Sequence, residues 1–244
     1  MAKSVVETTI ELLGKLDPSV QKVMGQAQKA ASKTGDAIGK ALSDGFKVGV
    51  AAAGAFTTAL VKIGTEYQSA TGQISAATGA TGAELESLQG VMENVYGNNY
   101  GDSMADVADA VATVSQQMKG LSDGELQSVT EGAFALRDVF QYDVAESVRA
   151  ANALVNNFGI SGDDAMNLIA AGAQNGLDFS GELLDTISEY SGQFAKVGIG
   201  ADQMFQIMQA GADSGAWNLD KVGDAIKEMS IRVVDGSETT AQGF

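Results

Sequence analysis

A seven-residue motif returns at intervals of thirty-nine residues, and this interval constrains the fold more than any other feature of the chain. It reads GLSDGEL at 120–126, GISGDDA at 159–165 and GIGADQM at 198–204. A looser copy, GATGAEL, stands at 79–85. Each copy begins with glycine, continues with an apolar residue, and then has a residue suited to the N-cap of a helix. Spacing of this size is typical of helical hairpins that bury one another's apolar faces.

The caps of these motifs are the candidate structural sites. A hydroxyl at the N-cap and a carboxylate or amide three residues later satisfy two free backbone N–H groups. The predicted cap pairs are Thr81 with Glu84, Ser122 with Glu125, Ser161 with Asp164, and Gly200 with Gln203. Apolar residues flank each cap at the spacing that packs the entering chain onto the first helical turn. They are Leu121 with Leu126, Ile160 with Ala165, Ile199 with Met204 and, more weakly, Ala80 with Leu85.

Each motif is expected to open the first helix of a two-helix unit. Gly176 and Gly215 end the related strings AGAQNG and AGADSG and are suited to end a helix in the left-handed conformation. An aromatic residue and a cap residue then predict the second helix. These pairs are Tyr142–Asp143, Phe179–Ser180, Trp217–Asn218 and, more loosely, Tyr100 with Asp102. We expect Phe179 and Trp217 to clamp their second helices through Leu184 and Val222.

The second helices show apolar residues at helical spacing. One such face contains Val144, Val148, Ala151 and Val155, and another contains Leu219, Val222, Ile226 and Met229. The sequence therefore predicts an all-α fold of tandem helix–turn–helix units of about 39 residues, at 79–119, 120–158, 159–197 and 198–236. Periodicity does not distinguish an open stack of these units from a closed bundle of four to eight helices.

The first 66 residues lack the repeat and are predicted to form a separate N-terminal arm. SVVETTIEL alternates apolar and polar residues, which favours a short strand, although a helix stays open. Asp17–Pro18 then starts a helix rich in Gly, Ala and Lys. Its small residues recur every fourth position, with Gly35, Gly39, Gly45 and Gly49 as candidate helix–helix contacts. Such a helix either self-associates, meets a membrane, or simply packs on the body of the protein.

Charge separates this arm from the rest of the chain. Residues 1–66 contain 8 Lys and 6 Asp or Glu, whereas residues 67–244 contain 7 Lys or Arg and 25 Asp or Glu, which gives net charges of +2 and −18. We expect an arm at 1–66, an acidic helical-hairpin domain at 67–236 and, at 237–244, the start of a downstream region of a longer protein. An acidic body disfavours binding to DNA and to anionic lipid.

Several kinds of chemistry are not expected. The chain has no cysteine and no histidine, which excludes disulfides, Cys/His zinc sites and histidine acid–base catalysis. No phosphate-binding loop or nucleophile elbow occurs, and the acidic residues do not match a calcium-binding EF-hand loop. The uncharged apolar stretch Val48–Val61 is too short to cross a bilayer. We therefore expect neither an enzyme nor a cofactor nor a metal site.

Three stretches of the chain are distinctive as an ordered series: EYQSATGQISAATGATGAELESLQG (66–90), FGISGDDAMNLIAAGAQNG (158–176) and IKEMSIRVVDGSETTAQGF (226–244), after the strand-like start that leads into LDPS. In these stretches the chain resembles the tail tape measure proteins of phages and of phage-tail-like bacteriocins. The resemblance covers most of the chain. It implies a virion tail protein, assembled in the bacterial cytoplasm, that lies in the tail tube, sets tube length, and is released or forms part of the conduit at DNA ejection. The implied partners are the tube protein, tail assembly chaperones, the tail tip or baseplate hub, and further copies, often as trimers.

Two other functions stay open at this point. One is a membrane-active oligomer that inserts the 45–61 stretch, and the other is a helical-repeat binding scaffold unrelated to tails. Family members are usually far longer than this chain, which is why we expect residues 1–244 to be an N-terminal piece.

Overall fold

The computed structural model describes the backbone of residues 54–234, with side chains over residues 64–232. This part of the chain forms nine helices joined by short turns and contains no strand, which confirms the predicted all-α class. In chain order the helices are α1 (Gly54–Thr78), α2 (Gly82–Gly97), α3 (Met104–Gln117), α4 (Asp123–Phe140), α5 (Val144–Phe158), α6 (Gly162–Gln174), α7 (Leu183–Lys196), α8 (Ala201–Asp213) and α9 (Leu219–Val234).

The helices alternate between two layers. The odd-numbered helices lie side by side in one layer, in the order α1, α3, α5, α7, α9, and the even-numbered helices lie in the other. Across the described residues, every extensive contact joins helices that are adjacent or next-but-one in the chain. This arrangement is an open two-layer stack rather than a closed bundle, although the thirty-nine-residue sequence repeat itself stays a prediction.

Helices of the same layer run in the same direction. Side-chain hydrogen bonds join residues 34 to 36 positions apart on neighbouring helices of the odd layer. They are Gln73 to Asp109, Arg149 to Asp185, and Tyr190 to Asp224. Ser87 and Ser128 bond to Asp123 and Asp163 in the same way in the even layer.

This direction sorts the turns onto two edges. The turns that lead from an even helix to an odd helix (98–103, 141–143, 175–182 and 214–218) share one edge, which we call the aromatic edge. The turns at 79–81, 118–122, 159–161 and 197–200 share the opposite edge.

One continuous core runs between the two layers. Every helix of the described chain contributes to it, and its fully buried side chains extend from α1 to α9. Representative members are Ile74, Met92, Phe134, Leu154, Ile187 and Met208. Because each helix pair buries its apolar face against the next pair, no pair has a complete core of its own.

Glycines allow three of these helix contacts to be close. A Cβ atom on Gly162, Gly211 or Gly223 would lie only 2.4 to 2.5 Å from Val129, Val222 or Tyr190 respectively. Gly223 of α9 thereby accepts the buried ring of Tyr190 from α7, whose hydroxyl donates to Asp224 at 2.9 Å. Burial, and then the hydrogen bond to Asp224, raises the pKa of Tyr190.

Several sequence predictions fall outside or depart from the described structure. The strand-like segment, the Asp17–Pro18 helix start and the small residues Gly35, Gly39, Gly45 and Gly49 lie outside the described residues. The domain boundary expected between residues 66 and 67 falls inside α1, which continues without a break, so the division into domains stays a prediction. Met229, expected on the buried face of α9, is 40% exposed.

We predict that Gly223→Ala destabilises the fold. An alanine in mid-helix normally gains up to about 1 kcal/mol over glycine. Here, however, its Cβ would overlap the Tyr190 ring at 2.5 Å, and overpacking of this kind costs on the order of 1 to 3 kcal/mol. The measurement is the free energy of unfolding in urea.

Gly90→Ala is the matched control, because Gly90 lies inside α2 and a Cβ there would have no atom within 4 Å. We expect it to be neutral or stabilising. If both variants unfolded at the same urea concentration, the close α7–α9 contact would be refuted.

Candidate interaction surface

The predicted caps lie at the opposite edge. Ser122 and Glu125 form the complete reciprocal cap, whereas Ser161 and Asp164 satisfy one backbone N–H group. The N–H of Glu125 donates to the Ser122 hydroxyl at 3.4 Å, and the N–H of Ser122 donates to the Glu125 carboxylate at 2.8 Å. The Ser122 hydroxyl also donates to the Glu125 carboxylate at 2.7 Å, and this bond, followed by the bond from the Ser122 N–H, lowers the pKa of Glu125. The N–H of Asp164 donates to the Ser161 hydroxyl at 3.1 Å, and that hydroxyl donates to the Asp164 carboxylate at 2.7 Å.

The other two predicted pairs are partial or absent as caps. The N–H of Gly200 donates to Gln203 at 3.2 Å, but glycine has no side chain to return the bond. Thr81 occupies the N-cap of α2, yet its hydroxyl makes no capping hydrogen bond. The reason is local geometry, because Gly82 at the first helical position has φ +58° and departs from helical backbone.

The starts of the second helices agree with the sequence in two units and differ in two. Asp143 accepts from the N–H of Glu146 at 3.0 Å, and Asn218 accepts from the N–H of Lys221 at 3.2 Å. Helix α3 begins one residue later than expected, with Ser103 rather than Asp102 as its N-cap.

Helix α7 departs further from the prediction. Its N-cap is Glu182, which makes no side-chain capping bond. The carboxylate that accepts from the N–H of Leu183 belongs to Asp178, at 3.0 Å, and the Ser180 hydroxyl bonds to Glu182 instead. Ser180 is therefore not the cap of this helix.

The expectation that Phe179 and Trp217 clamp their second helices is wrong. Phe179 is 48% exposed and Trp217 is 86% exposed. Val222, the expected contact of Trp217, packs against Gly211. The missing side chain at Gly211 leaves room for Val222, so the indole is not needed to cover it.

These two aromatics belong to a row that sequence reasoning missed. Among the described side chains, six large hydrophobic residues are exposed, and four of them lie at the aromatic edge, one for each turn. We call these four the apolar row: Tyr96, Val139, Phe179 and Trp217. The large aliphatic residues at the opposite edge, such as Leu121, Ile160 and Ile199, are half-buried against the core. Only one edge of the stack therefore offers apolar surface at its turns.

Packed aromatic rings lie at the same edge as the apolar row. The rings of Tyr100 and Phe134 stack at 6.5 Å, and those of Phe140 and Tyr142 stack at 5.7 Å. The guanidinium of Arg137 lies 4.5 Å above the Phe134 ring and bonds to Asp106 at 2.8 Å. Burial, and then a hydrogen bond to Asp178, raises the pKa of Tyr142.

Carboxylates surround the row. The aromatic edge and the first turns of the odd helices contain Asp102, Asp106, Asp138, Asp143, Glu146, Asp178, Glu182, Asp185, Asp213 and Asp220. The cations nearby are ion-paired: Arg137 with Asp106, Arg149 with Asp185 at 3.0 Å, and Lys221 with Asp224 at 4.0 Å. A shallow groove at this edge is lined by Arg149, Glu182, Asp185, Ser188, Glu189 and Asp220. The surface therefore suits a partner that is both apolar and positively charged.

Within residues 64–232, no group of three or more His, Cys, Asp or Glu side chains is placed to hold a metal ion. None of the described helices combines the length and apolar character needed to cross a bilayer.

Comparison with known proteins gives the family. A family model described as phage-related minor tail protein matches residues 94–244. That span is more than half of the chain, and the chain belongs to this family. It is also 29% identical over 147 residues to the uncharacterized protein YqbO of Bacillus subtilis (strain 168), across 59% of this chain and 9% of that relative. The chain thus spans only a small part of the length of this curated relative, and no solved structure gives a significant match.

Family membership narrows the function. The match places the chain among phage tail proteins, and this family supports a structural role in the virion tail. The alternative of a helical scaffold unrelated to tails is not supported.

We predict that Ser122→Ala destabilises the fold by about 1 kcal/mol, because the N–H of Glu125 loses its acceptor at the start of α4. Thr81→Ala is the matched control, since the Thr81 hydroxyl makes no capping bond, and we expect its effect to be smaller than half of that. Thermal and urea unfolding of both variants measure the difference. Equal losses would show that the two caps do not differ as the structure has them.

Proposed function

We propose that this chain is the N-terminal part of a tail tape measure protein. It lies in the lumen of the tail tube, helps to set tube length during assembly, and leaves the tube or joins the conduit at DNA ejection. The observation that carries the proposal is the match to minor tail proteins over residues 94–244. The relative from Bacillus subtilis supports it, since the matched region is only 9% of that protein. A tape measure protein must be long enough to span the tail tube, and the relative is much longer than its matched region.

The open stack also supports a role that depends on length. Adding one helical unit extends such a stack by roughly one interhelical spacing, about 8 to 10 Å. A continuous helix extends by about 1.5 Å for each residue. Both forms lengthen in proportion to the number of residues, which is the physical requirement for a molecular ruler.

The charge of the body supports a role inside a tube that later transmits DNA. Residues 67–244 have a net charge of −18, and like charge repels the phosphate backbone. The lysine-bearing arm is then the region that contacts acidic surfaces. Under this proposal the partners are the tube protein, tail assembly chaperones, the tip or baseplate hub and further copies of the chain. The same role would serve a phage-tail-like particle, with assembly in the host cytoplasm in either case.

The membrane-active alternative has no structural observation in its favour. Most of the 45–61 stretch lies outside the described residues, so this alternative stays an untested prediction.

We predict that the full chain forms no stable complex with duplex DNA at physiological salt. Electrostatic repulsion removes the counterion-release term that drives non-specific binding. Fluorescence anisotropy of a labelled duplex measures this, with the salt concentration varied. A tight, salt-sensitive complex would contradict the proposal, unless it disappeared when the lysines of residues 1–53 were changed to glutamate, which would locate it in the arm.

We predict that tail length follows the length of the complete reading frame. Deleting about 100 codons downstream of residue 244 in the intact gene should shorten tails by about 150 Å, if that region spans the tube as a helix. Duplicating the same codons should lengthen tails by the same amount. Electron micrographs of tails from both variants give the lengths. Normal length in both, or a reading frame that stops after Phe244, would refute the tape measure role.

A further inference from the structure

The apolar row at the aromatic edge has no partner within the described residues. Trp217 is 86% exposed and Val139 is 67% exposed, which is costly surface to leave in water. The path of the chain indicates which segment covers this row.

Helix α1 carries the preceding residues to the aromatic edge. Gln73 of α1 bonds to Asp109 of α3 at 3.3 Å, which aligns the two parallel helices with an offset of 36 residues. Helix α3 begins at Met104, so the level of this edge corresponds to residue 68 of α1. The part of α1 from Gly54 to that level therefore projects about 20 Å beyond the edge. Residues 1–53 join the fold on the side where the row is exposed.

The charge of this segment complements the edge. Residues 1–53 contain seven lysines and five acidic residues, for a net charge of +2, whereas the nearby cations of the edge are already ion-paired and its carboxylates outnumber them. The segment also contains apolar residues to cover the row, for example in SVVETTIEL and in VGVAAA.

The segment is long enough to reach every member of the row. From α1 to α9 the odd layer spans four interhelical spacings, or about 32 to 40 Å. A chain of 53 residues would extend about 80 Å even if it were wholly helical. Trp217, at the turn farthest from α1, lies within that reach.

We propose that residues 1–53 dock on the apolar row of the same chain. Their apolar side chains cover Tyr96, Val139, Phe179 and Trp217, and their lysines face the surrounding carboxylates. This intramolecular contact goes beyond the tail role and does not depend on it, because it is argued from chain path, charge and exposure alone.

Trp217 is the single tryptophan of the chain and reports directly on the contact. The experiment measures acrylamide quenching of its fluorescence in the full chain, and in a full-length variant with Lys→Glu at Lys3, Lys15, Lys22, Lys29, Lys33, Lys40 and Lys47. We expect quenching to be about twofold weaker in the unaltered chain, because charge reversal turns attraction into repulsion. Phe179→Ser in the unaltered background should also increase quenching, by removing apolar contact without changing charge.

The control moves the probe to the other edge. In Lys119→Trp with Trp217→Phe, the indole stands at an exposed position of the opposite edge, and its quenching should not respond to the seven lysine changes. Circular dichroism establishes that each variant keeps its helices.

Three results would overturn the proposal. Strong quenching of Trp217 in every variant would show that the row is uncovered. Protection that persists after charge reversal would show that something other than the lysine-bearing segment covers it. Protection that weakens on dilution would assign the contact to the segment of a second copy.

Discussion

The burial of each helix against the next-but-one helix in the chain is the constraint on which the rest of this structure depends. A hairpin such as α4–α5 has an apolar face but too few partners to enclose it, so its core is completed by α2 and α3 on one side and by α6 and α7 on the other. Stability is then shared along the stack. The close approach at Gly162 and Gly223 belongs to this constraint, because these glycines let next-but-one helices pack closely.

A second consequence is that the two edges of the stack differ. At the opposite edge, Leu121, Ile160 and Ile199 fold back onto the core beside their caps, and the turns leave little apolar surface. At the aromatic edge, by contrast, Phe179 and Trp217 are exposed to solvent. The apolar residues at the opposite edge therefore pack on the core, whereas those at the aromatic edge are exposed.

The strong negative charge is compatible with this fold because of where the carboxylates lie. Many occupy first turns, as Asp123, Asp163 and Asp202 do, where the positive end of the helix dipole stabilises them. Others bond across to the next unit of the same layer, as Asp185 and Asp224 do. The charge thus contributes to helix starts and unit-to-unit contacts, and it also gives the outer surface its repulsion for polyanions.

Local chemistry let the sequence determine the all-α class and most helix starts. A hydroxyl or carboxylate at Ser122, Ser161 or Asp143 acts on N–H groups only three residues away, so its effect can be read without knowing the fold. At Thr81 even this local prediction is wrong, because the positive φ of Gly82 departs from helical backbone and the Thr81 hydroxyl makes no capping bond. The layer order and the edge on which each turn lies were decided by tertiary packing alone, because they depend on residues more than thirty positions apart. Because this packing cannot be read from the sequence, the sequence wrongly predicted that Phe179 and Trp217 pack against their second helices. Their spacing from Leu184 and Val222 is that of a residue pair packed around a helix start. In the folded chain, however, Val222 packs against Gly211, so the space beside Val222 is already filled.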